Sequence, residues 1–300
     1  MKIVVLGCKG QLGKCLYDQL ENTDYEVVFT SREQINIIDF EATKTELLDM
    51  APDVIINATA YTAVDKAEQE QEKADLINHL AVKNIAEISN IMGCWLIHVS
   101  TDYVFDGASR LRYLENDQTN PQCVYGLTKL HGELAIQSSG CKYIIIRTAW
   151  VFSEYGNNFL KTILRLGSER DTLDIVGDQI GCPTYARDLA KATVCTLPFL
   201  GNAQESGIYN YAGDKSCSWA EFAELIFRKA KKLGRMKCVP RVVAITTKEY
   251  PTPAKRPKNS RLDSSLFETY FGCKASDWEA KVSEVLRLEQ QIQRNSYEKY

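Results

Sequence analysis

Between Lys2 and Trp150 one pattern repeats: a short apolar run, a turn, then a stretch of helical length. The runs read "KIVVLG", "YEVVFT", "DVIINAT", "CWLIHVS" and "KYIIIRTAW". Each is short and nearly continuous in its apolar residues, as a strand buried on both faces requires. Helical patterns separate them: "GQLGKCLYDQLEN", an amphipathic stretch near 40–50, a long one from about Val64 to Asn90, and the segment holding Tyr125. Strands in this order need crossover connections, which are right-handed. The expected fold is α/β, a doubly wound parallel sheet (Rossmann-like). Such sheets bind ligands at the carboxyl ends of their strands, where strand order reverses.

Beyond Trp150 the rhythm is less regular. Helices are expected near 156–168, 184–200, 218–233 and 276–294, and the Pro-rich "EYPTPAKRPKNSRLD" lies between the last two. This half reads as a smaller C-terminal lobe interleaved with the last strands of the sheet, and 300 residues suffice for both parts. A net charge of −3 gives no electrostatic reason to expect nucleic acid or an anionic membrane as partner. The apolar runs are too short to cross a bilayer, and Met1 leads straight into the first of them, so a cytoplasmic protein is expected. Ten cysteines are scattered without a C-x-x-C pair, and the three histidines (His79, His98, His131) lie far apart in sequence. Reduced structural thiols follow, and no metal site is expected.

The first run ends in "GCKGQLG", with Gly7, Gly10 and Gly13 spaced G-x-x-G-x-x-G around Gln11 and Leu12. Glycines there permit a tight turn and let backbone N–H groups approach a pyrophosphate at a helix N-terminus. The second run ends in "VVFTSRE", which puts Ser31 and Arg32 where an NAD-selecting acid is usual. Arg32 suits a 2′-phosphate and Ser31 can donate to it, so NADPH is expected over NADH, an alternative that Glu33 keeps open. The third run continues into "NATAYTAVDKAE", placing Ala60, Tyr61 and Thr62 beside the cofactor's phosphates and ribose. Asp39 and Phe40 of "IIDF" are expected to flank an adenine.

The fourth run passes into "HVSTDYVFDG", and "VYGLTKLHGE" sets Tyr125 and Lys129 one helical turn apart. In a doubly wound sheet Thr101 and Tyr125 reach the same carboxyl edge. A free phenol titrates near pKa ~10, and a cation one turn away lowers it toward the working range. Lys129 can also hydrogen-bond the nicotinamide ribose. The hydroxyl of Thr101, or of Ser100, holds a substrate oxygen near the Tyr125 phenol. Together these groups protonate an oxygen while hydride reaches the adjoining carbon.

Glycine turn, strand-end hydroxyl and Y-x-x-x-K in this chain order resemble the extended short-chain dehydrogenase/reductase superfamily. Adding "NATAYTAVDKAE", "STDYVFDG", "IRTAWVF" and "RPKNSRLD", the chain resembles the dTDP-4-dehydrorhamnose reductase family from Met1 to about Leu262. The resemblance implies NADPH-dependent reduction of the 4-keto group of dTDP-4-dehydro-6-deoxy-L-mannose to dTDP-L-rhamnose. It implies Tyr125 as proton donor, Lys129 as its pKa-lowering partner and Thr101 as the substrate-orienting hydroxyl. Asp102 and Trp150 match family positions that contact the deoxysugar, although Trp150 also suits the core. Arg256, Asn259 and Arg261 lie in a loop whose donors suit a diphosphate, or a solvated basic loop. Residues 1–150 are then the NADP-binding domain and 151–300 mainly the substrate-binding lobe. Family members that dimerise through magnesium carry a carboxylate where this chain has Cys15, and a thiol is a poor ligand for so hard a cation. A role for Mg2+ therefore stays open, and monomer and homodimer are equally expected.

Two alternatives remain on the sequence. A non-catalytic NADP-binding regulatory subunit, resembling the β subunit of methionine adenosyltransferase, keeps the Tyr and Lys. Another nucleotide-sugar enzyme on this scaffold, a 4,6-dehydratase or 4-epimerase, would recycle its hydride internally. A dehydratase needs an acid/base pair, typically Asp-Glu, where Asp102 is here followed by Tyr103.

Overall fold

The computed structural model describes residues 1–201 and 206–297. The first half runs β1 (Lys2–Leu6), α1 (Gln11–Leu20), β2 (Glu26–Thr30), α2 (Phe40–Met50) and β3 (Val54–Asn57). It continues through α3 (Val64–Ala67), α4 (Gln71–Asp75), a π-helical turn (Leu76–Leu80), α5 (Ala81–Met92), β4 (Trp95–Thr101), α6 (Val124–Ser138) and β5 (Lys142–Thr148). The single long helix expected from Val64 to Asn90 is thus broken. The wide turn lies where the Asn78 side chain leaves its helix: it accepts from the Tyr61 N–H, and donates to the Tyr61 carbonyl and the Thr128 hydroxyl. An insertion of this kind into a helical ladder marks a π-bulge.

Beyond β5 come β6 (Val151–Phe152), α7 (Phe159–Glu169), β7 (Thr172–Val176), β8 (Ile180–Gly181), β9 (Thr184–Tyr185), α8 (Ala186–Cys195) and β10 (Gly207–Asn210). The chain ends through β11 (Cys217–Ser218), α9 (Trp219–Lys232), β12 (Arg241–Ile245), β13 (Asn259–Ser260), α10 (Ser265–Phe271) and α11 (Trp278–Tyr297). The main sheet is parallel throughout, in the order β10-β5-β4-β3-β1-β2. Strand order therefore reverses beside β1. Alternate residues fill two cores. Ile3, Val5, Ile56, Ile97 and Ile146 pack toward α1 and α8, whereas Val4, Leu6, Ile55, Leu96 and Ile145 pack toward α2, α5 and α6. A third core joins Phe222, Phe227, Trp278 and Val282 of α9 and α11 to Leu160 of α7.

All ten cysteines are free, and six of them are buried. Cys15 lies in the core between α1 and α8, where burial pushes its thiol up. It offers no oxygen to a hard cation.

One polar contact fixes α6 on the sheet. Glu133, buried on α6, accepts two hydrogen bonds from Arg147 Nε (3.0 and 3.2 Å) and one from its Nη2 (2.6 Å). Arg147 Nη1 donates to the Glu115 carbonyl at 3.0 Å. Removing one partner strands the other charge without solvent. Glu133→Ala is expected to cost about 3–5 kcal/mol of unfolding free energy, read from urea denaturation. A loss no larger than an exposed ion pair gives, below about 1 kcal/mol, would show that the pair does not hold the helix.

Candidate active site

The turn after β1 depends on close backbone approach. Gly7 adopts φ +86°, and a Cβ there would overlap the Thr59 side chain, while one on Gly13 would overlap the Gly7 carbonyl. α1 consequently starts hard against β1, with Gly10 as its N-cap and no side chain capping it. From this N-terminus runs a groove of about 300 Å3 along the ends of β1, β2 and β3. Gly7, Gly10, Ser31, Arg32 and Ala60 line it, together with an apolar wall of Ile35, Ile37 and Ile38. Free N–H groups at one end, a flat apolar wall and an exposed Arg32 at the rim suit an adenine dinucleotide. Glu33 is paired with Lys9 at 2.8 Å, and that hydrogen bond holds its carboxyl low, at about 2.

The side chains of the other expected cofactor residues have partners of their own. Asp39 is the N-cap of α2 and accepts from the Ala42 N–H at 3.1 Å, while Phe40 begins that helix and packs on the core. Their short turn satisfies the helix end, and the isoleucines before them meet the groove. Leu12 is a core residue. Gln11 reaches across to the second half of the chain, accepting from Ser153 Oγ and Asn158 Nδ2 at 2.9 Å each. Tyr61 lies half-buried with Lys73 over its ring, and Thr62 is exposed.

The catalytic candidates converge at the carboxyl edge of β4. Thr101 ends the strand and caps the 3-10 turn Asp102–Val104 that follows. α6 comes in against this turn because Gly126 has no Cβ; one there would overlap the Tyr103 carbonyl oxygen. Tyr125 is thereby placed edge-on to Tyr103, with the Thr101 side chain near enough to its phenol to influence its titration. The ring is half-buried. Burial pushes the phenol up, and the Thr101 contact opposes that shift. Lys129, by contrast, is fully enclosed: Nζ donates to the Val99 carbonyl at 2.7 Å and lies 2.9 Å from His98 Nε2. Burial lowers it to about 8, against the pull of Glu133. Thr101 thus opposes the rise of the phenol from one side, while Lys129, one helical turn along α6, is enclosed against β4.

Beside these groups Ser100 Oγ, Asp102 Oδ2 and Thr148 Oγ1 are buried without a hydrogen-bond partner. Asp102 Oδ1 accepts from Thr101 at 3.1 Å, and burial raises its carboxyl to about 6. Three unsatisfied oxygens at the neighbouring ends of β4 and β5 suit a hydroxyl-rich ligand. Trp150, in left-handed backbone at φ 49°, stacks on Trp219 with centroids 3.4 Å apart. Arg256 makes two hydrogen bonds to Asp65 (2.8 and 2.9 Å). Asn259 donates to the carbonyls of Ser109 and Leu111 and accepts from Arg261, which itself donates to the Arg110 carbonyl. The "RPKNSRLD" segment thus clasps the loop after β4.

Several participants were not singled out in the sequence: Gly126, Glu133, Ala58, Thr59, and the buried pair Asn57 and His98. The structure brings His79 of the π-helical turn and His131 of α6 together with Asp75 of α4, their ligand atoms within 4.8 Å of one another at a partly exposed surface. Among the described residues no helix is long and apolar enough to cross a membrane.

The family described as RmlD substrate binding domain matches residues 1–291. A dTDP-4-dehydrorhamnose reductase of Aggregatibacter actinomycetemcomitans is 41% identical over 287 residues, covering 95% of this chain and 98% of that protein. The crystal structure of a dTDP-4-dehydrorhamnose reductase from Clostridium acetobutylicum superposes with a TM-score of 0.90 at 37% identity, covering 97% of this chain and all of that one. One from Bacillus anthracis, solved in complex with NADP, gives 0.86 at 34% identity over 95% of this chain and 98% of the other.

The approach of α6 at Gly126 is open to a direct test. Gly126→Ala is expected to lose about 1–3 kcal/mol of stability, as overpacking does, and to lower turnover by displacing Tyr125 from Thr101. Unchanged melting temperature and turnover would show that α6 has slack at this contact.

Proposed function

The chain belongs to the dTDP-4-dehydrorhamnose reductase family, and from that premise we propose that it reduces the 4-keto group of dTDP-4-dehydro-6-deoxy-L-mannose to give dTDP-L-rhamnose, with NADPH as reductant. The observation that carries this is the convergence of Tyr125, Thr101 and Lys129 at the end of β4, on the same carboxyl edge of the sheet as the glycine turn. When bound, a reduced nicotinamide supplies the hydride to the carbonyl carbon. The residues of this chain supply the rest. Gly7, Gly10, Gly13 and the start of α1 hold the pyrophosphate, Ser31 and Arg32 the 2′-phosphate, and the isoleucine wall the adenine.

Thr101 holds the substrate carbonyl oxygen beside the Tyr125 phenol, which donates its proton there and is later reloaded from solvent. Lys129 binds the nicotinamide ribose and, when charged, stabilises the phenolate left behind. Ser100, Asp102 and Thr148 receive the sugar's hydroxyls. A cytoplasmic location and a monomeric or homodimeric state complete the proposal, with NADH as the weaker reductant.

Tyr125→Phe should leave NADPH binding intact and lower turnover by about 10²-fold or more, followed as loss of NADPH absorbance with the keto sugar nucleotide. Near-normal turnover would remove the phenol from the reaction. Absence of NADPH oxidation by the wild type at every substrate concentration would instead favour the regulatory-subunit alternative.

The cofactor assignment has its own check. Arg32→Ala should raise the Michaelis constant for NADPH by about 10-fold or more, the effect of losing a charge-assisted contact, and leave that for NADH little changed. Preference for NADH in both proteins would overturn the role of Arg32.

A further inference from the structure

His98 and Asn57 have no part in the reaction as described, yet both are wholly buried and both stand in line with Lys129. They are register partners on β3 and β4. The Thr59 backbone N–H donates to Asn57 Oδ1 at 3.0 Å. A backbone N–H has no acceptor form, so this contact fixes the Asn57 amide with its oxygen toward Thr59 and its NH2 toward His98. Asn57 Nδ2 lies 3.2 Å from His98 Nδ1. That ring nitrogen must therefore be the acceptor. Burial holds His98 far below its ordinary pKa, so the ring is neutral and carries its one proton on Nε2. The atom 2.9 Å beyond is Lys129 Nζ.

We propose that Asn57 and His98 are positioning residues for the reductase: a hydrogen-bond chain polarised at the Thr59 backbone turns an N–H, and not a lone pair, toward Lys129. The proposal rests on the role given to Lys129 above. A neutral amine matches the surroundings group for group. Its lone pair accepts from His98, one N–H goes to the Val99 carbonyl at 2.7 Å, and the other is left for the ribose. An ammonium has no lone pair and must give up the His98 contact.

The chain thus favours loss of the lysine proton, in the same direction as burial. The charged or titratable groups around Nζ are His98 from β4, and Tyr125 and Glu133 from its own helix. Asp102 lies beyond Tyr125, and the Glu133 charge is already committed to Arg147 of β5. Lysine carries its proton below its pKa. The phenolate-supporting charge is therefore present at lower pH and lost as pH rises through a midpoint brought down toward neutrality, giving turnover an alkaline limb.

The tautomer can be read without turnover. In 15N-histidine-labelled wild-type protein, two-bond 1H–15N correlation spectra should show one of the three histidines, absent from His98→Phe, protonated at Nε2 and bare at Nδ1. A His98 ring protonated at Nδ1 would overturn the proposal. Asn57→Asp then reverses the polarity, because a carboxylate accepts from both Thr59 and the ring. The His98 proton should move to Nδ1, and Nε2 should accept from the ammonium. The Lys129 titration, followed by its 13Cε shift, and the alkaline limb of turnover should both rise by about one pH unit or more. A switched ring with an unmoved lysine midpoint would also overturn it. Because these spectra need no substrate, their failure is distinct from a failure of the proposed reaction, which the Tyr125→Phe assay reports.

Discussion

The Glu133–Arg147 pair is the contact on which the site's geometry depends. Two charges removed from water repay their desolvation only in one arrangement. Here three hydrogen bonds join one carboxylate to one guanidinium, across the seam between α6 and β5. A hydrophobic seam alone would tolerate a helix shifted along its axis. This one does not, because a shift of one turn leaves both charges buried and unpaired. Tyr125 and Lys129 stand two turns and one turn before Glu133 on the same helix. Their approach to Thr101 and His98 is therefore set by a pair that touches neither.

Residues close in sequence were the legible ones. The glycine turn, the run ends and the Tyr125–Lys129 spacing are local patterns, and the doubly wound order of the sheet brings their elements to one edge. The parallel sheet itself could be read from runs such as "YIII", since only a strand covered on both faces is apolar at consecutive positions. What escaped depends on register and on long-range packing. Nothing in "DVIINAT" and "CWLIHVS" says that Asn57 will lie opposite His98, because that depends on how β3 and β4 slide past each other. The pairing of Arg256 with Asp65 could not be read either, because that partner lies on α3, at the other end of the sequence. The break in the helix after Val64 likewise follows from Asn78 clasping Tyr61, a contact that periodicity does not encode.

Desolvation shapes the chemistry of the edge more than any single charge does. It raises Tyr125 and Asp102 and lowers Lys129 and His98, so all four are pushed toward their neutral forms. For a ketone reduction the direction is useful, since a phenol held above its ordinary pKa is fully loaded with the proton it must give. The same shift makes that phenol a weaker acid. The opposing help has to arrive with the reacting carbonyl, through the Thr101 hydroxyl and a charged Lys129.

That requirement gives the lysine's protonation state its importance. If Lys129 kept its ordinary affinity for a proton, its charge would be constant across the neutral range and Glu133 alone would modulate it. Enclosed by β4 and facing a ring that offers it a donor, it instead sits where small changes in its surroundings decide whether the charge is there. A bound dinucleotide adds negative charge and a hydroxyl acceptor at the one N–H left unused, both of which favour the ammonium. Occupancy of the groove and support for the phenolate then become linked through a single nitrogen, with the polarity of the link set at a backbone amide two residues past the end of β3.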